Sequence, residues 1–173
     1  MYTRETTACF TGHRNMREPA LDITGRILEI VESLIQSGYL TFCAGGARGF
    51  DALASEAVLT MQDKYPQINL VLMLPFADQY RCERGWSNAE IDQYHRLQEK
   101  AAQTTILAPG YRSGIYYQRN RALVDASSVC IAYMTRTRSG TGYTVSYAQK
   151  QGLRVVNLAD HGCAIAAEGA SHD

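Results

Sequence analysis

The sequence has no excess of charge, no long apolar run and no paired-cysteine motif, and each absence excludes a class of function. Seventeen basic residues are balanced by seventeen acidic ones. No broad nucleic-acid-binding surface is therefore expected, and only a local basic patch stays open. No stretch approaches the roughly 20 apolar residues of a membrane helix, so no membrane partner is expected. Residues 1–5 are polar and lead straight into a strand pattern, which argues against a signal peptide. The five cysteines, Cys9, Cys43, Cys82, Cys130 and Cys163, are odd in number and contain no C-x-x-C pair. Cys9, Cys43 and Cys130 fall within strand patterns, where a free cysteine is a small buried apolar residue. No metal site and no disulfide framework is expected, and a reducing cytoplasm fits best. The dinucleotide G-x-G-x-x-G and the P-loop G-x-x-x-x-G-K-[ST] are also missing.

What is present is organised around residues 39–53. Tyr39-Leu40-Thr41-Phe42-Cys43-Ala44 reads as a buried strand. It ends in Gly45-Gly46-Ala47-Arg48-Gly49, and a helix over about 51–64 follows at once, with Phe50, Leu53, Ala54, Ala57, Val58 and Met61 at helical spacing. Glycines let backbone approach a ligand closely, and the first amides of a helix favour an anion. A side chain at Gly46 is then expected to block the ligand and spare the fold. The plain alternative is a turn that needs glycine, with Asp51 capping the helix.

The rest of the chain alternates in the same way. Thr7-Ala8-Cys9-Phe10 is a strand closed by Thr11-Gly12-His13-Arg14. Pro19 starts a helix with Ile23, Ile27, Ile30, Val31, Leu34 and Ile35 on one face and Gly38 at its end. Further strands are expected over 68–74, 104–107, 129–133 and 154–158, and helices over about 86–102, 117–126 and 143–151. Alternation of this kind implies a parallel sheet with right-handed crossovers. All loops that leave strand carboxyl ends then share one edge, where ligands bind. The loops at Gly12, at 45–49 and at 140–142 all follow strands, so topology brings them together.

Within those loops, Ser139-Gly140-Thr141 offers two hydroxyls and free amides to phosphate oxygens, or a helix cap that needs one hydroxyl. Arg14 is suited to bidentate pairing with an anion, and His13 to hydrogen bonding or proton transfer. Arg119 and Asn120 open a helix beside an irregular loop, and Arg121 with Asp125 has the spacing of a surface ion pair. Trp86, Phe76 and Tyr80 are either core or a surface on which a base stacks. No nucleophile–base pair stands out.

Taken together, Thr11-Gly12-His13-Arg14, then Gly45-Gly46-Ala47-Arg48-Gly49-Phe50-Asp51 with Ala54 and Glu56, then Tyr65-Pro66, Arg119-Asn120 with Val124-Asp125, and Ser139-Gly140-Thr141 with Thr144 and Tyr147-Ala148 resemble the YpsA-like branch of the SLOG superfamily. The resemblance runs from about residue 7 to residue 158. It implies an α/β, Rossmann-like three-layer fold with a mainly parallel sheet of about six or seven strands. It also implies a single domain over residues 1–160 and a loose or disordered tail over 161–173. The implied function is binding or sensing of a nucleotide-derived ligand, with no obligatory cofactor, in a bacterial or phage setting. The implied ligand-binding residues are Gly12, His13, Arg14, Gly45, Gly46, Arg48, Gly49, Asp51, Arg119, Asn120, Asp125, Ser139, Gly140, Thr141 and Thr144. Homodimers are common among such proteins, and the resemblance extends that expectation to this chain.

Two relatives of that branch imply rival functions. LOG phosphoribohydrolases cleave the N-glycosidic bond of nucleoside monophosphates and carry an R-K pair and P-G-G-x-G-T-x-x-E. Here Arg119-Asn120 keeps only the arginine, and Thr144 stands where that motif has its catalytic glutamate. A threonine cannot act as a carboxylate acid. DprA, a single-strand DNA-binding recombination mediator, has a similar core, and the neutral total charge argues against that function here.

Overall fold

The computed structural model describes residues 2–159. The expectation of a loose tail over 161–173 lies outside the described residues. Six strands form one fully parallel sheet: β1 (Thr7–Gly12), β2 (Thr41–Ala44), β3 (Asn69–Leu74), β4 (Gln103–Ile106), β5 (Val129–Tyr133) and β6 (Arg154–Asn157). Their spatial order is β4-β3-β2-β1-β5-β6. The chain winds outward from β1 in one direction through β2, β3 and β4, then returns to add β5 and β6 on the other side. The order therefore reverses between β1 and β5, and a crevice opens there above the strand carboxyl ends.

Helices cover both faces, making three layers. On one side α1 (Ala20–Gln36), α2 (Phe50–Gln62) and α3 (Asn88–Lys100) pack in sequence; on the other lie α4 (Ile115–Asp125) and α5 (Gly140–Lys150). The two cores follow from the side-chain alternation of a strand. Ala8 and Phe10 of β1 join the α1–α2–α3 core. Cys9 joins the core with Leu123, Val124 and Ala148 of α4 and α5. Cys9 is in register with Cys43 on one neighbour and Cys130 on the other, so three buried free thiols share one row.

The apolar face read for α1 is the observed one, with Ile23, Ile27, Ile30, Val31, Leu34 and Ile35 all buried. Gly38 follows its end at φ +97°, as a left-handed residue beyond a helix does. Helix α3 begins at Asn88 rather than Trp86, because Ser87 and Glu90 close a reciprocal capping box. Helix α5 starts at Gly140, three residues before the expected Tyr143. Ser139 accepts a hydrogen bond from the Gly142 amide at 2.9 Å, so the glycines taken for a loop are the first turn of the helix. Of the three aromatics Trp86, Phe76 and Tyr80, Phe76 is buried, and Trp86 and Tyr80 are partly buried, packed against each other and Tyr94.

Candidate functional site

A cleft of about 430 Å³ occupies the crevice above β1 and β5, within the ~300–1,000 Å³ usual for small-molecule sites. Three loops and two helix starts build it. His13, the first residue after β1, joins them. Its amide donates to the Tyr133 carbonyl, and its own carbonyl accepts from the Phe50 amide at the start of α2. Its Nε2 accepts from the Thr135 amide at 2.9 Å. That acceptor role places the ring proton on Nδ1. Burial lowers the His13 pKa, and Arg136 and Arg17 lower it further, so the ring is neutral at pH 7.

The loop after β2 has a different logic from the one read in the sequence. Gly46 adopts φ +72°, and a Cβ there would lie 2.4 Å from Leu74 Cδ2. Gly49 adopts φ +81°, and its Cβ would lie 2.2 Å from the Arg14 carbonyl oxygen. Both glycines admit other parts of this protein, so Gly46→Val is expected to destabilise the fold, not to spare it. Gly12 abuts the Phe50 ring and Gly45 the Arg119 guanidinium in the same way. Gly140, by contrast, faces open space, and the amides of Gly140 and Thr141 have no hydrogen-bond partner among the described residues.

Asp51 is not the helix cap. Gly49 holds that position, and Asp51 Oδ2 turns back to accept from the Ala47 amide at 3.3 Å. The carboxyl is 5% exposed at the base of the cleft. Burial pushes its pKa up to about 6, although Arg119, the Ala47 amide, Arg14 and the Gly45 amide all pull it down. Arg119 is equally buried. It donates to the Gly45 carbonyl and, through Nε, to Asn120 Oδ1 at 2.9 Å. The α4 start and the β2 loop are thereby tied together.

Arg14 pairs with Glu83 at 2.6 Å, and Glu83 also accepts from the Trp86 indole at 3.0 Å. Arg48 donates through Nη1 to Asn15 Oδ1 at 3.2 Å, while its buried Nε has no partner. Arg84 and Arg136 reach the cleft from the loops after β3 and β5. Five arginines, Arg14, Arg48, Arg84, Arg119 and Arg136, thus line a cleft that contains two carboxylates, Asp51 and Glu83. A chain with no net charge concentrates positive charge at one place, where low-dielectric walls strengthen its pull on an anion.

Of the residues expected at a site, the cleft assembles Gly12, His13, Arg14, Arg48, Asp51, Arg119, Asn120, Ser139, Gly140 and Thr141. Gly45, Gly46 and Gly49 shape the loop from behind. Ser139 acts as the helix cap, and its hydroxyl donates to the Arg136 carbonyl at 2.8 Å. Thr144 is buried below the first turn of α5 and donates to the Gly140 carbonyl. Asp125 is exposed at the end of α4, where it accepts from the Tyr147 hydroxyl at 2.7 Å; Arg121 donates to Tyr143, so the expected Arg121–Asp125 pair is replaced by two bonds to α5. Neither Asp125 nor Thr144 lines the cleft. Glu83, Arg84 and Arg136 were missed. Their one signal was position, since each sits in a loop that follows a strand.

No helix of the described residues is long and apolar enough to cross a membrane. Among solved structures the chain resembles DNA processing protein A (DprA) from Streptococcus pneumoniae, with a TM-score of 0.60 at 16% identity, over 86% of this chain and 48% of that one. It resembles the DprA of Helicobacter pylori, whose structure was reported for its single-stranded DNA binding mode, with a TM-score of 0.61 at 18% identity, over 86% and 63%. The chain therefore spans between about half and two thirds of those proteins, and at these identities the likeness is one of fold. In sequence it is 28% identical over 149 residues to the SPbeta prophage-derived protein YoqJ of Bacillus subtilis, covering 78% of this chain and 85% of that protein. It is 22% identical over 122 residues to the UPF0398 protein YpsA of the same organism, covering 69% and 66%. The YspA SLOG family model matches residues 10–156, a span that runs from within β1 into β6 and contains every residue lining the cleft, and the chain belongs to the YspA SLOG family.

Proposed function

We propose that this protein binds a nucleotide or nucleotide-derived ligand through its phosphate, as a binder or sensor rather than an efficient catalyst. The observation that carries this reading is the cleft's five arginines against two carboxylates, at the strand-order reversal of a chain with no net charge. The unpartnered amides of Gly140 and Thr141 at the start of α5 add hydrogen-bond donors of the kind that hold phosphate oxygens. Arg136, exposed at the mouth, and Arg48, with an unbonded Nε, are the cations best placed to pair with an incoming anion.

A thermal-shift screen against nucleoside monophosphates, ADP-ribose, NAD and cyclic dinucleotides tests this. A ligand at about a hundred times its Kd stabilises the folded state by about 2.7 kcal/mol, a rise of roughly 5–10 °C for a domain of this size. Arg136→Gln should keep the melting temperature of the free protein and weaken the responding ligand roughly tenfold, the loss of one charge-assisted hydrogen bond. No shift with any phosphorylated ligand at saturation would refute the reading.

The hydrolytic alternative has one foothold. Asp51 is a cleft carboxyl with its pKa raised to about 6, the range in which a general acid or base works at neutral pH. Glu56, a conceivable substitute for the missing glutamate, is engaged by Arg96 and Gln93 instead. Release of free base from a nucleoside monophosphate, abolished by Asp51→Asn, would favour this alternative. Salt-sensitive retardation of short single strands would favour a nucleic-acid function instead.

A further inference from the structure

The loop between β4 and α4 carries Tyr111, the most exposed aromatic side chain of the described residues at 63%. It is not a free-standing ring. Phe76 lies edge-on to it at 6.3 Å between centroids, and Tyr116 lies beside it at 6.3 Å. Phe76 and Tyr116 also contact each other at 6.0 Å. Phe76, Ala108 and Ile115 are buried together as a small separate core under this loop. The backbone is pinned as well: Leu107 and Ala108 donate to the Leu74 and Pro75 carbonyls, and Ile115 to the Arg112 carbonyl. Tyr111 is therefore held in place by its neighbours and still presents most of its ring to solvent.

Tyr116 joins this shelf to the cleft. The Arg14 guanidinium stands 6.0 Å from the Tyr116 centroid and that of Arg119 stands 5.8 Å from it. One tyrosine ring thus separates two of the cleft's cations from the exposed Tyr111. The three rings do not line the cleft itself, but through Tyr116 they adjoin two of its cations, an arrangement that suits one ligand with a charged group at one end and a flat ring at the other. Aromatic side chains stack on any nucleobase, because every base has a π face, and a shelf already held in position loses little conformational freedom on binding.

We propose that Tyr111, backed by Phe76 and Tyr116, is the surface on which the heterocycle of the cleft's ligand stacks, which makes that ligand a nucleoside monophosphate and not a bare sugar phosphate. The proposal rests on the phosphate-binding reading of the cleft and adds to it a second subsite on a different loop. It also moves the stacking role from Trp86 and Tyr80, which pack against Tyr94, to a residue whose exposure only the fold decides.

Titration calorimetry on the full chain separates the two subsites. The probes are adenosine and uridine 5′-monophosphates, ribose 5-phosphate and a short single-stranded oligodeoxynucleotide. Wild type should bind both mononucleotides more tightly than ribose 5-phosphate. Tyr111→Ala should weaken both mononucleotides by at least about fivefold, the low end of a lost base–aromatic stack, and leave ribose 5-phosphate unchanged. Tyr111→Phe should bind like wild type, since it keeps the ring. Equal affinity of wild type for ribose 5-phosphate and the mononucleotides would overturn the stacking surface and leave the phosphate reading standing. So would a Tyr111→Ala protein that binds all three as wild type does. Binding of the oligonucleotide without binding of any mononucleotide would overturn the proposal, and so would binding of no probe; the phosphate reading itself falls only if the wider thermal-shift screen is also silent.

Discussion

Asp51→Asn should stabilise this protein at neutral pH, and the gain should vanish in acid. The Asp51 carboxyl is buried against the loop after β2, and its pKa is raised from 3.8 to about 6. A raised carboxyl pKa means that the folded state binds a proton which the unfolded state, at the same pH, has already released. The contribution of this one group is therefore most favourable below pH 4 and falls as pH rises from about 4 to about 6, after which the full cost of the buried charge is present. The shift is about two pKa units, and at 1.36 kcal/mol per unit the cost at pH 7 is roughly 3 kcal/mol. Asparagine has the shape of the protonated acid and keeps an oxygen for the Ala47 amide. It removes that cost at pH 7 and changes little at pH 4. The assay is urea denaturation of both proteins between pH 4 and 8, read as their difference so that every other carboxyl cancels. The expected curve is near zero at pH 4 and rises through pH 5–6 to about 3 kcal/mol. A flat difference, or a variant that is less stable at pH 7, would show that Arg119 compensates the charge fully and that the carboxylate is structural. A group retained at such a cost is the kind that function preserves against stability.

Two further substitutions test the cleft and the loop behind it. Glu83→Gln should tighten the binding of phosphate or a nucleoside monophosphate, because Glu83 is an internal anion already paired with Arg14. The pair is partly exposed, so the gain is modest, up to about fivefold or ~1 kcal/mol; unchanged or weaker binding by calorimetry would mean that Glu83 orients Arg14 for the ligand. Gly46→Val should lose about 2–5 kcal/mol in urea denaturation, since it adds an overpacked core contact to a strained left-handed residue. A Gly46→Val protein with wild-type stability would place the loop against a ligand and not against Leu74.

The two loops that look alike in the sequence turn out to have different reasons for their glycines. Residues 45–49 and 140–142 both read as anion loops, because a glycine-rich stretch where a helix begins is a local sign of a phosphate site. Gly46 and Gly49 answer to Leu74 and Arg14, far away in the chain, and no window around residue 46 contains that information. Gly140 is the one that remains open. Ser139 is legible as either a cap or a phosphate ligand; its hydroxyl accepts from the Gly142 amide as a cap does, and the residue also lines the cleft. Asp125 and Thr144 were carried into the site by position within a motif. Helical phase turns Asp125 outward to Tyr147 and Thr144 inward to the Gly140 carbonyl.

The sequence by itself determined the alternation of strands and helices, the apolar face of α1, the buried cysteines of β1, β2 and β5, and the edge of the sheet on which the loops meet. Those features follow from periodicity and local backbone preference, which act over a few residues. Only the tertiary structure decided that five arginines from separate loops and helices converge, that Glu83 pairs with Arg14 among them, that burial raises the Asp51 pKa to about 6, and that Tyr111 is more exposed than the other tyrosines. Charge density, desolvation and exposure depend on what surrounds a group in space, and that is set by how segments distant in the chain pack against one another.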